Sequence, residues 1–177
     1  MAKIPLPTRD SIPEEYHARW DRTASRGPML DIQRLFFVNP GIEVNALGAW
    51  RASGLSDRSR EIVILRCAAR MESVYEWHQH VRIARGVGLT DAEITAVRGW
   101  QDATFFSADE RALLAYEDDL ATLKKPADAV YDAFAKGRTP AEIFCVTYLI
   151  TLYFQLARVM AVMELEPEAP FVGWELG

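Results

Sequence analysis

Glu61, Glu76 and His80 are the residues whose types and spacing could carry chemistry. Glu76 and His80 are four residues apart, which makes them neighbours on the surface of one helix. Glu61 is the lone acid within an almost wholly apolar run of an earlier helix. Burial raises a carboxyl pKa and a cationic neighbour lowers it, so such groups can transfer protons near neutral pH. The pattern predicts an acid–base site; the alternative is a structural polar contact near a helix end.

Metal chemistry is less well supported by the spacing. His78 and His80 are two residues apart, so their side chains lie roughly 160° apart around a helix and cannot chelate one ion. We therefore expect His78 to be a solvated surface histidine. A metal bound by Glu61, Glu76 and His80 stays open as a weaker alternative. The favoured hypothesis involves no metal and no organic cofactor.

Thiol chemistry is also disfavoured. The two cysteines, Cys67 and Cys145, are far apart, and no C-x-x-C motif is present. Cys67 lies beside Ala68 and Ala69 in the apolar run, which is typical of a structural, reduced thiol. Nucleotide-binding glycine motifs and the G-x-S-x-G nucleophile motif are absent from the sequence. We expect a protein that works without a dithiol.

The elements that must position these residues are helices. Apolar residues recur at helical spacing, capping pairs such as Thr90 with Glu93 begin several segments, and no alternating strand pattern of useful length is found. The sequence therefore predicts an all-α fold after an extended arm at 1–12. The expected helices cover residues 13–24, 29–38, 42–53, 57–71, 74–86, 91–99, 108–124, a segment from Pro126 to Gly137, and 140–163.

Composition restricts the function further. A chain of 177 residues with half its residues hydrophobic suits a single globular domain, residues 1–177, and a net charge of −5 argues against nucleic-acid binding. The uncharged run 143–157 is shorter than the roughly 20 residues of a membrane span, which favours a core or subunit-interface helix. The start MAKIPLPTRD has no apolar signal region, and we expect a cytoplasmic location.

The stretch SDRSREIVILRCAARMESVYEWHQHVRIARGVGLTDAEI resembles the core of the carboxymuconolactone decarboxylase family, whose superfamily includes the alkylhydroperoxidase D-like proteins. The later FQLARVMAVMELE is similar to the family's last helix. The resemblance covers about residues 42–165, after an arm with short helices at 1–41 and before a tail at 166–177. It implies a compact multi-helix alkylhydroperoxidase D-like fold with a long apolar C-terminal helix.

The resemblance also implies roles for individual residues. The family glutamate falls on Glu61 and the family histidine on His80, whereas the peroxidase branch's two cysteine positions hold Ser73 and Glu76. Cysteine-dependent hydroperoxide reduction is therefore not expected. A cofactor-free, decarboxylase-like lyase is expected, with His80 as general acid, Glu76 orienting it and Glu61 as a second proton carrier.

Substrate binding and assembly are the remaining expectations. Ser73 and Trp77 are assigned to the substrate pocket, although a place in the core is an equal alternative for Trp77. Candidates for binding a small anionic, lactone or aromatic-derived substrate are Arg66, Arg70 and Arg158. The family implies a homotrimer or homohexamer, with no nucleic-acid or membrane partner. The rival hypothesis is a non-catalytic helical oligomer, or a peroxidase-like family member without a dithiol site.

Overall fold

The structure, a computed structural model, describes residues 4–40, 46–122 and 124–176. The described residues form α-helices and three short 3-10 helices and contain no strand, which confirms the all-α prediction. The α-helices are α1 His17–Ala24, α2 Asp31–Leu35, α3 Ala46–Ala52, α4 Asp57–Arg70, α5 Val74–Gly86, α6 Asp91–Ala96, α7 Ala108–Ala121, α8 Asp128–Ala135 and α9 Pro140–Val162. The 3-10 helices are Arg9–Ser11, Glu14–Tyr16 and Val97–Asp102.

Side-chain caps fix where the longer helices begin. A serine or threonine precedes each of α4 to α7 and α9, and its hydroxyl accepts a hydrogen bond from a backbone N–H of the first turn. Such a cap satisfies a donor that has no partner inside the helix. The capping residues are Ser56, Ser73, Thr90, Ser107 and Thr139. The predicted starts of these helices are confirmed.

Several helix ends differ from the prediction. The segment predicted as helical over 91–99 is α-helical only to Ala96 and continues as the 3-10 helix Val97–Asp102, because Gly99 has non-helical backbone angles. Helix α7 ends at Ala121, and α8 begins at Asp128 rather than directly at Pro126. Residues 42–45 of the helix predicted at 42–53 lie outside the described residues, as do 1–3 of the arm and 177 of the tail.

Helix α4 is the centre of the fold. It packs against α5, α7 and α9 and is buried over the continuous stretch from Glu61 to Ala68. Its apolar side chains contribute to two core clusters, one shared with α5 and α6 and one shared with α7, α8 and α9. A helix surrounded on all sides must be apolar all round, as the sequence predicted. Glu61 is therefore held within the core.

Helix α5 has the predicted bounds, but its faces differ from the prediction. His78 was expected in solvent and is fully buried, whereas Ile83 of the same helix is exposed. The cause is the segment after α9. It folds back over α5, and the backbone N–H of Val172 donates to His78 Nδ1 at 2.9 Å. Residues 94 positions apart in sequence are thus in contact.

Among the described residues, α9 is the one helix whose length and apolar composition would suffice to cross a membrane. The core helix of a soluble protein meets the same criterion, and α9 packs against α3 and α4. One side of α9 carries buried residues such as Leu149 and Ile150. The other side exposes Phe144, Tyr148 and Val162.

Candidate acid–base site

Glu61 and His80 form the central contact of the site. Glu61 Oε2 lies 2.8 Å from His80 Nδ1, and the Glu61 side chain is 1% exposed. Glu61 belongs to the first half of α4 and His80 to the middle of α5, so the packing of these two helices brings the residues together. The His80 side chain keeps 14% of its surface exposed. One residue of the pair is therefore enclosed and the other reaches solvent.

Arg60 occupies the second oxygen of the Glu61 carboxylate. Arg60 Nε donates to Glu61 Oε1 at 2.6 Å, and the guanidinium lies 4.2 Å from the centroid of the Trp50 ring. Arg60 also contacts the exposed Asp57 at 3.3 Å. Because each Glu61 oxygen has its own donor, the carboxylate is fixed in both position and rotation.

The electrostatics of Glu61 favour its ionised form. Burial by itself raises the pKa of Glu61, but the hydrogen bond and charge of His80, followed by those of Arg60, outweigh burial and lower that pKa below its ordinary value. An ionised Glu61 accepts hydrogen bonds from both neighbours. The Nδ1 position of His80 then carries the hydrogen, and Nε2 is left to exchange a proton with other groups.

Glu76 lies on the same helix as His80 but does not orient it. Its side chain is buried, and neither carboxyl oxygen has a hydrogen-bond partner within the described residues. Burial raises the pKa of Glu76 well above its ordinary value, so the group is held as a neutral acid. The prediction that Glu76 orients His80 is wrong. The carboxylate that contacts the His80 ring is that of Glu61 on the neighbouring helix.

Two residues that the sequence reasoning did not include lie near these groups. Tyr153 of α9 meets the His80 ring edge-on, with centroids 5.3 Å apart. Burial and the nearby charges of Glu76 and Glu61 raise the pKa of Tyr153. Glu117 of α7 is also fully buried with both oxygens unpartnered, and burial raises its pKa well above the ordinary value. In the sequence Glu117 is the first of three consecutive acidic residues, so its residue type gave no signal that it is buried.

Cys67 lies between the two unpartnered carboxyls, as a structural thiol. It is fully buried, and its Sγ donates to the Ile150 carbonyl at 3.9 Å. Burial, followed by the charges of Glu117 and Glu76, raises the pKa of the Cys67 thiol well above its ordinary value. A thiol held in that state is a poor nucleophile.

Ser73 and Trp77, which were assigned to substrate binding, have structural contacts instead. Ser73 Oγ caps α5 by accepting from the Glu76 backbone N–H at 3.4 Å. Trp77 is fully buried in a core cluster, and its Nε1 donates to the Gly173 carbonyl at 3.1 Å. For Trp77 the structure gives the core position that the sequence left open.

The candidate anion-binding arginines lie elsewhere. Arg66 is buried, and its Nε donates to Asp118 at 2.8 Å while its Nη1 donates to the Arg98 carbonyl at 2.7 Å. Arg70 contacts the same Asp118, and Arg158 is exposed on α9. Arg60, which was not among the candidates, is the arginine in contact with Glu61.

A metal centre was the weaker alternative for Glu61, Glu76 and His80. Within residues 4–40, 46–122 and 124–176, no group of three histidine, cysteine, aspartate or glutamate side chains is arranged to hold a metal ion. The Glu61 oxygens are already engaged by Arg60 and His80. In this structure those oxygens therefore serve as hydrogen-bond acceptors.

Comparison with known families agrees with the resemblance noted from the sequence. Residues 43–119 match the sequence model of the carboxymuconolactone decarboxylase family. Over this region the chain is similar to that family. The matched region contains Glu61, Glu76 and His80, whereas Tyr153 and the segment over α5 lie outside it. No curated protein matches the chain.

Solved structures show the same alkylhydroperoxidase D-like fold. A peroxidase-related protein from Ralstonia eutropha JMP134, described as an alkylhydroperoxidase AhpD core, has a TM-score of 0.79 at 16% identity, covering 96% of this chain and 94% of that chain. A peroxidase-related protein from Silicibacter sp. TM1040 has a TM-score of 0.79 at 14% identity, covering 96% and 93%. The debrominase Bmp8 bound to 2,3,4-tribromopyrrole has a TM-score of 0.74 at 16% identity, covering 96% and 95%. At these identities the likeness establishes the fold.

Proposed function

We propose that this protein is a cofactor-free acid–base enzyme of the decarboxylase type, acting on a small carboxylated substrate. The observation that carries the proposal is the 2.8 Å contact between the enclosed Glu61 carboxylate and the partly exposed His80 ring. A buried carboxylate that fixes the tautomer of a histidine is a recurring arrangement for general acid–base work. The family of the matched region supports the same class of reaction.

His80 Nε2 is the proposed point of proton transfer. Glu61 holds Nδ1, and within the described residues no group bonds to Nε2. Glu61 thus fixes the orientation of the ring, and a proton is exchanged at Nε2. His80 is therefore the proposed general acid, with Glu61 as the residue that positions it.

Glu76 is the proposed second proton carrier. Because burial keeps its carboxyl neutral, it retains a proton that a carboxylate in water would lose. It lies near Tyr153, whose ring contacts His80. A proton delivered by His80 can then be replaced from a neighbouring buried acid.

The proposed substrate is an anion because its carboxylate leaves as carbon dioxide. Cleavage of the carbon–carboxylate bond leaves the electron pair on carbon, conjugated with a lactone carbonyl as a dienolate. The carbon then takes the proton from His80, Glu76 reprotonates His80, and a proton from solvent restores Glu76, so atoms and electrons balance without an oxidant or reductant. Arg60, in contact with Glu61 and above Trp50, is the proposed cation that offsets the substrate charge.

The test is carbon dioxide release from a panel of small carboxylated lactones. We expect turnover by the wild-type protein and at least about a hundredfold loss in His80→Asn, the range that general acid catalysis contributes. Glu61→Gln should also lower turnover, because a neutral amide holds the His80 ring less strongly than a carboxylate does. A melting temperature near that of the wild type shows that each variant is folded, so that a loss of turnover can be assigned to the substituted side chain.

The control is His17→Asn, since His17 is a half-buried histidine on α1 that contacts the Ile12 carbonyl instead of a carboxylate. It should keep full activity. Turnover that survives in a folded His80→Asn protein would reject His80 as the acid. Absence of any turnover across the panel would favour the non-catalytic oligomer as the function of this fold.

We also propose that the chain assembles with copies of itself as a trimer or hexamer. The outer side of α9 exposes Phe144, Tyr148 and Val162, which is more apolar surface than a monomer usually leaves in water. Sedimentation at micromolar concentration should show the oligomer, and Phe144→Glu should weaken it. Sedimentation of the wild type only as a monomer would reject this proposal.

A further inference from the structure

The segment that follows α9, residues 166–176, lies along α5 on the side away from Glu61; we call it the tail. Glu168 joins three elements: its Oε1 accepts from Tyr75 OH at 2.7 Å and from the Asp31 backbone N–H at 2.9 Å, and its Oε2 accepts from the Gln79 amide. Trp77 Nε1 donates to the Gly173 carbonyl at 3.1 Å. The tail thus braces the helix that carries His80.

His78 supplies the most buried of these contacts. Its side chain is fully enclosed, and its Nδ1 accepts the Val172 backbone N–H at 2.9 Å. The exposed Phe171 ring stacks on the imidazole, with centroids 5.8 Å apart. His78 Nε2 is buried and has no hydrogen-bond partner within the described residues.

This geometry requires one protonation state. A nitrogen that accepts a hydrogen bond carries no hydrogen, so Nδ1 is bare and Nε2 holds the ring hydrogen. Protonation would place a hydrogen on Nδ1, directly facing the Val172 N–H. The resulting imidazolium would also carry a charge inside the core, where the cost of burial outweighs the favourable contribution of the Glu168 backbone carbonyl.

We propose that the His78–Val172 hydrogen bond is an acid-labile clasp, and that protonation of His78 releases the tail from α5. The charged groups that act on the ring are Arg82 of α5 and Glu168 of the tail, and within the described part of the chain no charged group of α4, α6 or α9 acts on it. Glu168 favours the protonated ring only while the tail is docked, and it is already engaged by three donors.

The direction of the pH effect follows from burial. Burial, together with the nearby Arg82, lowers the pKa of His78 below its ordinary value of 6.5 in the docked state. The released ring therefore binds protons more readily than the docked ring, so docking is fully favourable above pH 6.5 and weakens as pH falls below it. The loss is about tenfold per pH unit between the two pKa values.

Hydrogen exchange of the Val172 amide measures the clasp directly. The intrinsic exchange rate divided by the measured rate at each pH gives a protection factor, recorded from about pH 8 down to about pH 5. We expect protection of Val172 to fall with decreasing pH while the amides of α4 stay protected. Nitrogen shifts of the His78 ring in the same wild-type samples should show a bare Nδ1 at the alkaline end and protonation in step with the loss of protection.

His78→Asn is the matched variant, because its side-chain oxygen stands where Nδ1 stood and does not titrate. We expect Val172 to be protected equally over the whole pH range in this variant. His17→Asn, which removes a histidine that does not contact the tail, should keep the wild-type pH response.

Three results would overturn the proposal. One is Val172 protection that does not change with pH in the wild-type protein. Another is a wild-type ring with its hydrogen on Nδ1, a result that does not depend on whether any variant folds. The last is a folded His78→Asn protein that keeps the wild-type pH response. None of these readouts involves catalysis, so they stand or fall separately from the proposed enzyme function.

Discussion

The ring of Tyr153 stands at 84° to the ring of His80, with the two centroids 5.3 Å apart. This edge-on contact joins α9 to α5, while the carboxylate of Glu61 joins α4 to the same imidazole. His80 is thereby restrained from two directions by residues on two different helices. Edge-on aromatic pairs of this kind stabilise a structure by about 1 kcal/mol beyond the contribution of the surface area that they bury.

The first prediction concerns this contact. Tyr153→Leu should let the His80 ring rotate and lower activity about tenfold, whereas Tyr153→Phe keeps the ring and should retain the wild-type orientation. The measurement is turnover together with nitrogen shifts of the His80 ring. Equal turnover in the leucine and phenylalanine variants would show that the ring contact does not position His80.

The second prediction concerns Arg60. In Arg60→Gln the pKa of Glu61 should rise, because a cation that lowers it has been removed. A lowered carboxyl pKa contributes stability above its ordinary value of 4.5, and that stability is lost as pH falls through the folded-state pKa. The variant should therefore lose most stability, relative to wild type, above pH 4.5, and the difference should shrink in acid.

Thermal unfolding across this pH range measures the effect. Arg22→Gln is the control, since Arg22 is an exposed residue of α1 far from Glu61 in the chain. It should leave the pH dependence of the melting temperature unchanged. A constant difference between Arg60→Gln and wild type at every pH would contradict the assigned effect on Glu61.

The third prediction concerns the two unpartnered carboxyls. Burial raises the pKa values of Glu76 and Glu117, so each group favours the folded state below 4.5 and loses that contribution as pH rises towards its folded-state pKa. Glu117→Gln has the same shape and does not titrate. Its melting temperature relative to wild type should therefore increase from about pH 5 to about pH 8.

Differential scanning calorimetry at both pH values provides the measurement. The exposed Glu15→Gln should follow the wild type at each pH. A Glu117→Gln protein whose relative melting temperature falls with rising pH would mean that the carboxyl is ionised and paired in the folded state, contrary to this structure.

The fourth prediction concerns Asp118, which receives Arg66 Nε at 2.8 Å and Trp100 Nε1 at 2.9 Å. Asp118→Ala leaves the buried guanidinium without its carboxylate and should cost about 3 kcal/mol of unfolding free energy. Denaturant unfolding measures this cost. The control Asp128→Ala breaks the exposed pair with Lys125 and should give no measurable change.

Local chemistry made much of the fold predictable from the sequence. Ser107 with Glu110 and Thr139 with Glu142 start helices through contacts three residues apart, so the signal lies within one turn of chain. The buried character of α4 was likewise visible in its unbroken apolar run. Such features depend on residues that are close in sequence, so they can be predicted without a structure.

For the candidate site, the sequence predicted which residues take part but not which of them are in contact. Glu61 and His80 were named from residue type and spacing, but their contact spans 19 positions and depends on how α4 packs on α5. The Glu76–His80 pair satisfied the spacing rule, yet His80 contacts Glu61 and the Glu76 carboxyl has no hydrogen-bond partner within the described residues. His78 was misjudged because its cover arrives from residues 94 positions later.

The cap at Ser73 has a consequence for how chemistry could change along this lineage. By the resemblance, positions 73 and 76 are those that hold cysteines in the dithiol branch. A thiol at 76 would replace an unpartnered acid with a small apolar group suited to burial, whereas a thiol at 73 would exchange the oxygen that caps α5 for a weaker acceptor. Introducing two thiols would thus cost little stability at position 76 and would weaken the start of α5 at position 73.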